Sequence, residues 1–320
     1  MLSRRFLRIK VMQAVYAFQQ DGPESINAGE KQLLVSLEKL YELFIHQLSF
    51  LIELSDFARR RIEEGKLKYL PTMEDLDPNN RFIENKFLYQ LANNRDFVRK
   101  TDSYKINWAD EEDIVRKCYN QMKELEEYQS YMAKEQVGYT EEKQVVEAVF
   151  AKIVAASDTL RSYFEEKSLY WSDDFETSVM MVLKTLKSYK ESWDEYTSLP
   201  TLLKDEKDAG GSEDLAFVKK LYRNTIMHDE EYSLEISQHA DNWDIERIAL
   251  MDTILLKMAL SELVNFPSIP VKVTLNEYIE LSKNYSTPKS KVFINGILDK
   301  LITEYRVSGK IAKAGRGLLE

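Results

Sequence analysis

A chain of 320 residues with a net charge of −10 is long enough for one large domain or two smaller ones. Only 10 glycines and 7 prolines accompany 44% apolar and 31% charged residues, a composition that favours long helices over sheets. The negative charge argues against a protein that coats nucleic acid indiscriminately. The single cysteine, Cys118, excludes an internal disulfide and a multi-cysteine zinc site.

The beginning of the chain is basic, but it lacks the apolar run and small-residue cleavage site of a secretory signal peptide. No segment reaches the roughly 20 consecutive apolar residues that cross a membrane. We therefore expect a cytoplasmic protein.

The first helix is expected to begin after Ser3, a favourable N-cap, and to run to about Gln20, where Asp21-Gly22-Pro23 stops it. Its first turns carry cations, and no acid occurs before residue 21. Basic side chains at a helix N-terminus are unfavourable with the helix dipole. Helix stability therefore does not explain these cations. Binding to a partner and a solvated basic helix end are equal alternative explanations. The cations are Arg4, Arg5, Arg8 and Lys10.

The middle of the chain has apolar residues at helical spacing, broken by short polar segments. Residues 66–81 are predicted to be a loop, and residues 199–212 a polar, glycine-containing linker. Arg59-Arg60-Arg61 ends the first of these helices, where the dipole favours cations, and this reading is preferred to an RNA contact. Helices are predicted over 31–65, 82–100, 110–134, 140–167, 173–196 and 213–241.

An internal similarity links the middle to the C-terminal part. The apolar spacing from Val145 to Trp171 parallels that from Phe217 to Trp243. A duplicated helical hairpin explains the match, and chance explains it equally well, because helical periodicity generates such matches freely.

The next predicted helix is capped by Asp241, contains Trp243 and runs to Leu263, with a mostly apolar sequence. Two prolines in the segment 266–270 end it. Thr274 and Glu277 have the spacing of a capping box at the start of a further helix.

That further helix is predicted to end near Tyr285, and Thr287-Pro288 is predicted to begin the last helix. After Arg306 the chain is rich in glycine and lysine. A flexible tail is expected there.

Catalytic patterns are missing from this sequence. His46, His228 and His239 lack metal-pairing spacing, and Cys118 has no evident base partner. No phosphate-binding glycine loop or nucleophile elbow occurs. We therefore expect a non-enzymatic protein without metal or cofactor.

Five segments have a distinctive order and spacing: Arg4–Phe18, Asp252–Leu263, Ile269–Val273, Asn276–Lys283 and Phe293–Asp299. Together they resemble the NusB family of transcription antitermination factors, most closely the long form of Bacteroidetes-type bacteria. The resemblance covers residues 1–20 and about 213–306. It implies a NusB-like core from these two pieces and a helical extension or insertion over 21–212, and the flexible tail expected from composition occupies 307–320.

The resemblance implies an all-α fold of NusB-like helical bundles, with a large additional helical segment in the middle. It further implies a non-catalytic adaptor that binds boxA-type nascent ribosomal RNA together with the ribosomal protein NusE on RNA polymerase. The alternative is a structural interaction module with vestigial RNA binding. An RNA methyltransferase, which can carry a similar helical domain, would need an α/β cofactor domain that the sequence lacks.

By position, the resemblance assigns Tyr16 and Asp252 to NusE binding, although Asp252 is equally interpreted as exposed and idle. Phe293 is interpreted either as a base-stacking residue or as core packing. The family often has arginines where Phe6 and Leu7 stand, so RNA affinity in isolation is expected to be weak. The RNA-binding residues implied are Arg4, Arg5, Arg8, Gln13, Lys272, Lys289, Lys291 and Phe293.

Overall fold

A computed structural model describes residues 2–20, 24–203, 212–240 and 249–318, without the side chain of Arg316. No strand occurs among these residues, so the all-α prediction is confirmed. The expected stop at 21–23, most of the 199–212 linker, and Asp241 and Trp243 lie outside the described residues. The helices are α1 (Arg4–Gln19), α2 (Ile26–Lys66), α3 (Met73–Leu76), α4 (Lys86–Ala92), α5 (Arg95–Ser103), α6 (Glu112–Lys123), α7 (Glu126–Ala133), α8 (Tyr139–Val149), α9 (Asp158–Lys167), α10 (Phe175–Ser188), α11 (Glu213–Met227), α12 (Asp229–His239), α13 (Leu250–Asn265), α14 (Val271–Tyr285) and α15 (Ser290–Val307).

The chain folds as two compact units. The first comprises residues 1–37 and 202–320, and the second comprises residues 38–201. In the first unit α13 is central: its residues from 254 to 263 are all buried, and it contacts α1, α11, α12, α14 and α15. A helix that is apolar on nearly every side is stable only when other helices surround it.

Several predicted helices are interrupted where a side chain caps a new start. The backbone N–H of Phe97 donates to Asn94 Oδ1 at 3.0 Å, so α4 and α5 replace one helix over 82–100. Ser157 Oγ similarly accepts from the N–H of Leu160 and begins α9. Each cap satisfies a backbone donor that a continuous helix would have bonded internally.

The predicted capping box at Thr274 is wrong. The helix α14 begins at Val271, directly after Pro270. Thr274 is fully buried inside this helix, and its hydroxyl donates to Glu262 Oε1 at 2.8 Å. The Thr274 hydroxyl therefore makes a tertiary hydrogen bond and does not cap a helix.

The second unit has an aromatic core around His46, which lies among Trp108, Phe164 and Trp171. Burial lowers the pKa of His46. Burial also raises the pKa of the Cys118 thiol, which disfavours the reactive thiolate. These two side chains serve packing.

Two further observations concern the described part of the chain. None of its helices is long and apolar enough to span a membrane. It contains no cluster of three or more histidine, cysteine or acidic side chains placed to hold a metal ion.

Candidate nucleic-acid interface

Arg8 lies inside the first unit and is bound to α13. It is 2% exposed, and its guanidinium donates two hydrogen bonds of 2.7 Å to Glu262, which is 0% exposed. Burial lowers the pKa of Arg8, but the hydrogen bonds and charge of Glu262 outweigh this and raise it above its ordinary value. The hydroxyls of Thr274 and Tyr278 also donate to Glu262. The buried contact between Arg8 and Glu262 therefore holds α1 against α13 and α14.

Arg5 and Glu277 form a second pair, between α1 and α14. Two hydrogen bonds of 2.9 Å join Arg5 to the Glu277 carboxylate, while the arginine side chain stays 46% exposed. These hydrogen bonds lower the pKa of Glu277. The pair is accessible to solvent, so a phosphate can compete with the carboxylate for the guanidinium.

Arg4 joins α1 to the start of α11. Its guanidinium lies 2.8 Å from both Glu213 and Asp214, and 4.5 Å from the centre of the Phe217 ring. Its side chain is 32% exposed. The three arginines thus contact carboxylates on three different helices.

Beside these arginines lies an open groove of about 1000 Å³ in the first unit. Its apolar part includes Phe217 and Phe266, whose ring centres are 5.1 Å apart at an angle of 61°. Arg4, Arg5 and Lys220 supply positive charge at the groove. The carboxylates of Glu213, Asp214 and Glu277, which pair with the two arginines, also line it. Both aromatic rings are largely buried, at 3% and 9% exposed, so the charged groups are what the groove offers to the phosphates of a single strand.

The other residues that the sequence suggested for RNA contact differ in exposure. Lys272, Lys289 and Lys291 are exposed, and Gln13 is half-buried. Phe293 is 4% exposed and belongs to the core of the first unit. Of its two interpretations, base stacking and core packing, this burial favours core packing.

Asp252 and Tyr16, which the sequence suggested for partner binding, also differ in exposure. Asp252 is 5% exposed, and the Ser290 hydroxyl donates to its Oδ2 at 2.7 Å. This bond joins the start of α13 to the start of α15, next to Lys289 and Lys291. Tyr16 on α1 is 41% exposed.

The cationic residues therefore gather at two places along α13. Arg8 bonds to Glu262, and Ser290 bonds to Asp252, ten residues earlier in the same helix. Ten helical residues span about 15 Å. Arg4 and Arg5 are on the same end of α1 as Arg8 and belong to the place at Glu262. Lys289 is next to Ser290 and belongs to the place at Asp252.

Sequence reasoning missed the acidic partners Glu262, Glu277 and Asp214. A lone carboxylate in the otherwise uncharged stretch from Met258 to Leu263 is the signal that could have indicated a buried ion pair, because an ionised group is buried only with a partner.

The fold and the candidate interface define an all-helical protein with arginines of its first helix beside an open groove. A family model described as "NusB family" matches residues 177–303. The transcription antitermination protein NusB of Geobacter sulfurreducens is 36% identical over 121 residues, 38% of this chain and 88% of that relative. This chain belongs to the NusB family.

Two more relatives carry the same name. That of Salinibacter ruber is 45% identical over 103 residues, and that of Chloroherpeton thalassium is 39% identical over 104 residues. Each match covers 32% of this chain, and 64% and 49% of the respective relative. The chain thus spans less than two thirds of these two proteins. No solved structure matches it.

Proposed function

We propose that this protein is a non-catalytic adaptor of transcription antitermination in the cytoplasm. It binds boxA-type single-stranded RNA together with the ribosomal protein NusE, on RNA polymerase. Membership in the NusB family supports the antitermination role. The observation that carries RNA binding is the open groove beside the half-buried Arg4 and the exposed Arg5.

In this proposal Arg4 and Arg5 exchange their carboxylate partners for RNA phosphates. Such an exchange is feasible because both guanidinium groups remain solvent-accessible. Arg8 has a different role: since its side chain is 2% exposed, it positions α1 and does not touch RNA. Gln13 is half-buried on the same helix and contributes at the edge of the surface.

Lys272, Lys289 and Lys291 extend the surface along α14 and α15. All three are exposed, and lysine acts as a point charge on the phosphate backbone. Phe293 contributes from the core by holding α15 in place. An RNA strand that contacts both cationic places must span about 15 Å of α13.

For NusE we propose Tyr16 as the direct contact, because it is an exposed aromatic side chain of the kind that often anchors protein interfaces. Asp252 supports this contact indirectly. Its hydrogen bond with Ser290 fixes the junction of α13 and α15.

A structural interaction module with vestigial RNA binding is the second candidate. One observation favours it: Arg4, Arg5 and Arg8 are all paired with carboxylates of the same chain. The two candidates differ in whether boxA RNA is preferred to scrambled RNA when NusE is present.

We expect NusE to tighten binding of labelled boxA RNA, and Tyr16→Ala to remove most of that gain. Truncating an aromatic interface anchor costs about 2 kcal/mol or more, which corresponds to roughly thirtyfold in affinity. Fluorescence anisotropy with and without NusE measures the gain.

Tyr69→Ala is the matched control, because Tyr69 is 98% exposed and lies in the second unit. It should leave the gain intact. Equal affinity of the wild-type protein for boxA and scrambled RNA in the presence of NusE would favour the structural module instead.

A further inference from the structure

The C-terminal tail lies along the first unit after α15 ends. The backbone N–H of Ala314 donates to the Pro267 carbonyl at 3.0 Å, and Lys313 Nζ donates to the Phe266 carbonyl at 3.0 Å. Ile311 packs against the core. The tail therefore contacts the loop 266–270 between α13 and α14, where a flexible segment was expected from composition.

Gly317 is closely fitted to this loop. A Cβ atom at this position would lie 1.8 Å from the Pro267 carbonyl oxygen. Only glycine allows the tail to approach so closely. Substituting it is a way to displace the tail without changing any charge.

Between the tail, α14 and α15 lies a cavity of about 470 Å³. Three cations line it: Lys272 from the first turn of α14, Arg306 from the last turn of α15, and Lys313 from the tail. None of the described residues that line it is acidic. The other lining residues are Val271, Ile311, Ala312, Gly317 and Leu318.

Two features make the electrostatics of this cavity favourable for an anion. The first turn of α14 contains no acidic residue, so the partial positive charge of the helix start is not neutralised locally. Burial lowers the pKa of Lys313, so a bound anion would stabilise its ammonium form.

We propose that this cavity, called here the tail pocket, binds a phosphate group of the RNA backbone next to the groove. Its size lies within the usual range of about 300–1000 Å³ for small-ligand pockets. The tail pocket begins at Val271 and Lys272, directly after Ser268, Ile269 and Pro270, which line the groove. A strand that leaves the groove can therefore place its next phosphates over the tail pocket.

This inference rests on the proposed RNA-binding function and adds Arg306 and Lys313 to it. It also gives the tail a functional role, because the last residues enlarge the RNA footprint. Lys310, although in the same tail, pairs with Glu231 and Glu235 and does not line the tail pocket.

The test uses the full chain, a short boxA RNA and a longer RNA that carries boxA with flanking nucleotides. Affinity is measured at several salt concentrations. In single-stranded nucleic acid each phosphate contact contributes about 0.7 to the slope of log affinity against log salt. The wild-type slope should be steeper for the longer RNA.

In the double variant Arg306→Gln/Lys313→Gln the two RNAs should give the same slope, a loss of about 0.7 for the one phosphate that the tail pocket binds. Gly317→Ala should have the same effect without removing a charge. Lys310→Gln is the matched control and should keep the difference. Thermal unfolding verifies that each variant is folded.

The outcomes separate the two proposals. If the wild-type protein binds neither RNA, the proposed function and this inference both fail. If it binds short RNA while the double variant keeps the wild-type difference, only the tail pocket is refuted. A third outcome is that pyrophosphate raises the melting temperature of the wild type but not that of the double variant, while the wild type gives the same salt slope for the short and the longer RNA. In that case the tail pocket binds a free anion and the RNA assignment is wrong.

Discussion

Arg8→Met is expected to lower the free energy of unfolding of the first unit by about 3–5 kcal/mol. The reason is that Glu262, which is 0% exposed, would keep its charge and lose its guanidinium partner. For a unit of this size each kcal/mol lowers the melting temperature by about 2–4 °C. Thermal and chemical denaturation followed by circular dichroism measure the change.

Arg5→Met is the matched control, because the same substitution removes a pair whose arginine is 46% exposed. Solvent-exposed pairs contribute about 0–1 kcal/mol. If both variants lost the same small free energy of unfolding, Arg8 would not be the residue that holds α1 in place. The argument that Arg8 has a structural role and does not contact RNA would then fail.

Arg4→Gln combined with Arg5→Gln should reduce RNA affinity and flatten its salt dependence by about 1.4 log units, one contact for each arginine. Asp214 is 4% exposed, but the glutamine amide at position 4 can still donate to its carboxylate, so the fold should persist. Titrations of labelled boxA RNA over a range of salt concentrations give the slope. An unchanged slope would exclude the start of α1 from the RNA surface.

Glu277→Gln is the opposite variant for the same surface. It removes the carboxylate that competes for Arg5, so RNA affinity should rise by about 1.5- to 5-fold, the value of an exposed ion pair. Weaker RNA binding of this variant would show that Glu277 assists the bound state and does not compete with it.

The local features of the first unit follow from short-range rules. Ser3 accepts the backbone N–H of Phe6 as expected of a cap, and the apolar stripe of α1, including Leu7, Val11 and Val15, is buried. These features depend on helical periodicity, which a sequence displays directly.

The partners of the arginines could not be predicted in the same way. Arg8 and Glu262 are 254 positions apart, and no local pattern encodes which acid meets which cation. Thr274 illustrates the converse: its spacing from Glu277 matched a capping box, but the tertiary bond to Glu262 determined its position. The lysines and glycines of the tail favour flexibility by composition, whereas its fit against Pro267 depends on the absence of a side chain at Gly317.

The most direct test of the central proposal is photo-crosslinking of the complete protein, with NusE, to boxA RNA that contains 4-thiouridine. The proposal places RNA on a surface formed by two distant parts of the chain. Crosslinked peptides should therefore come both from residues 2–20 and from residues 266–291. Crosslinks confined to residues 38–201, or equal crosslinking of scrambled RNA, would contradict it.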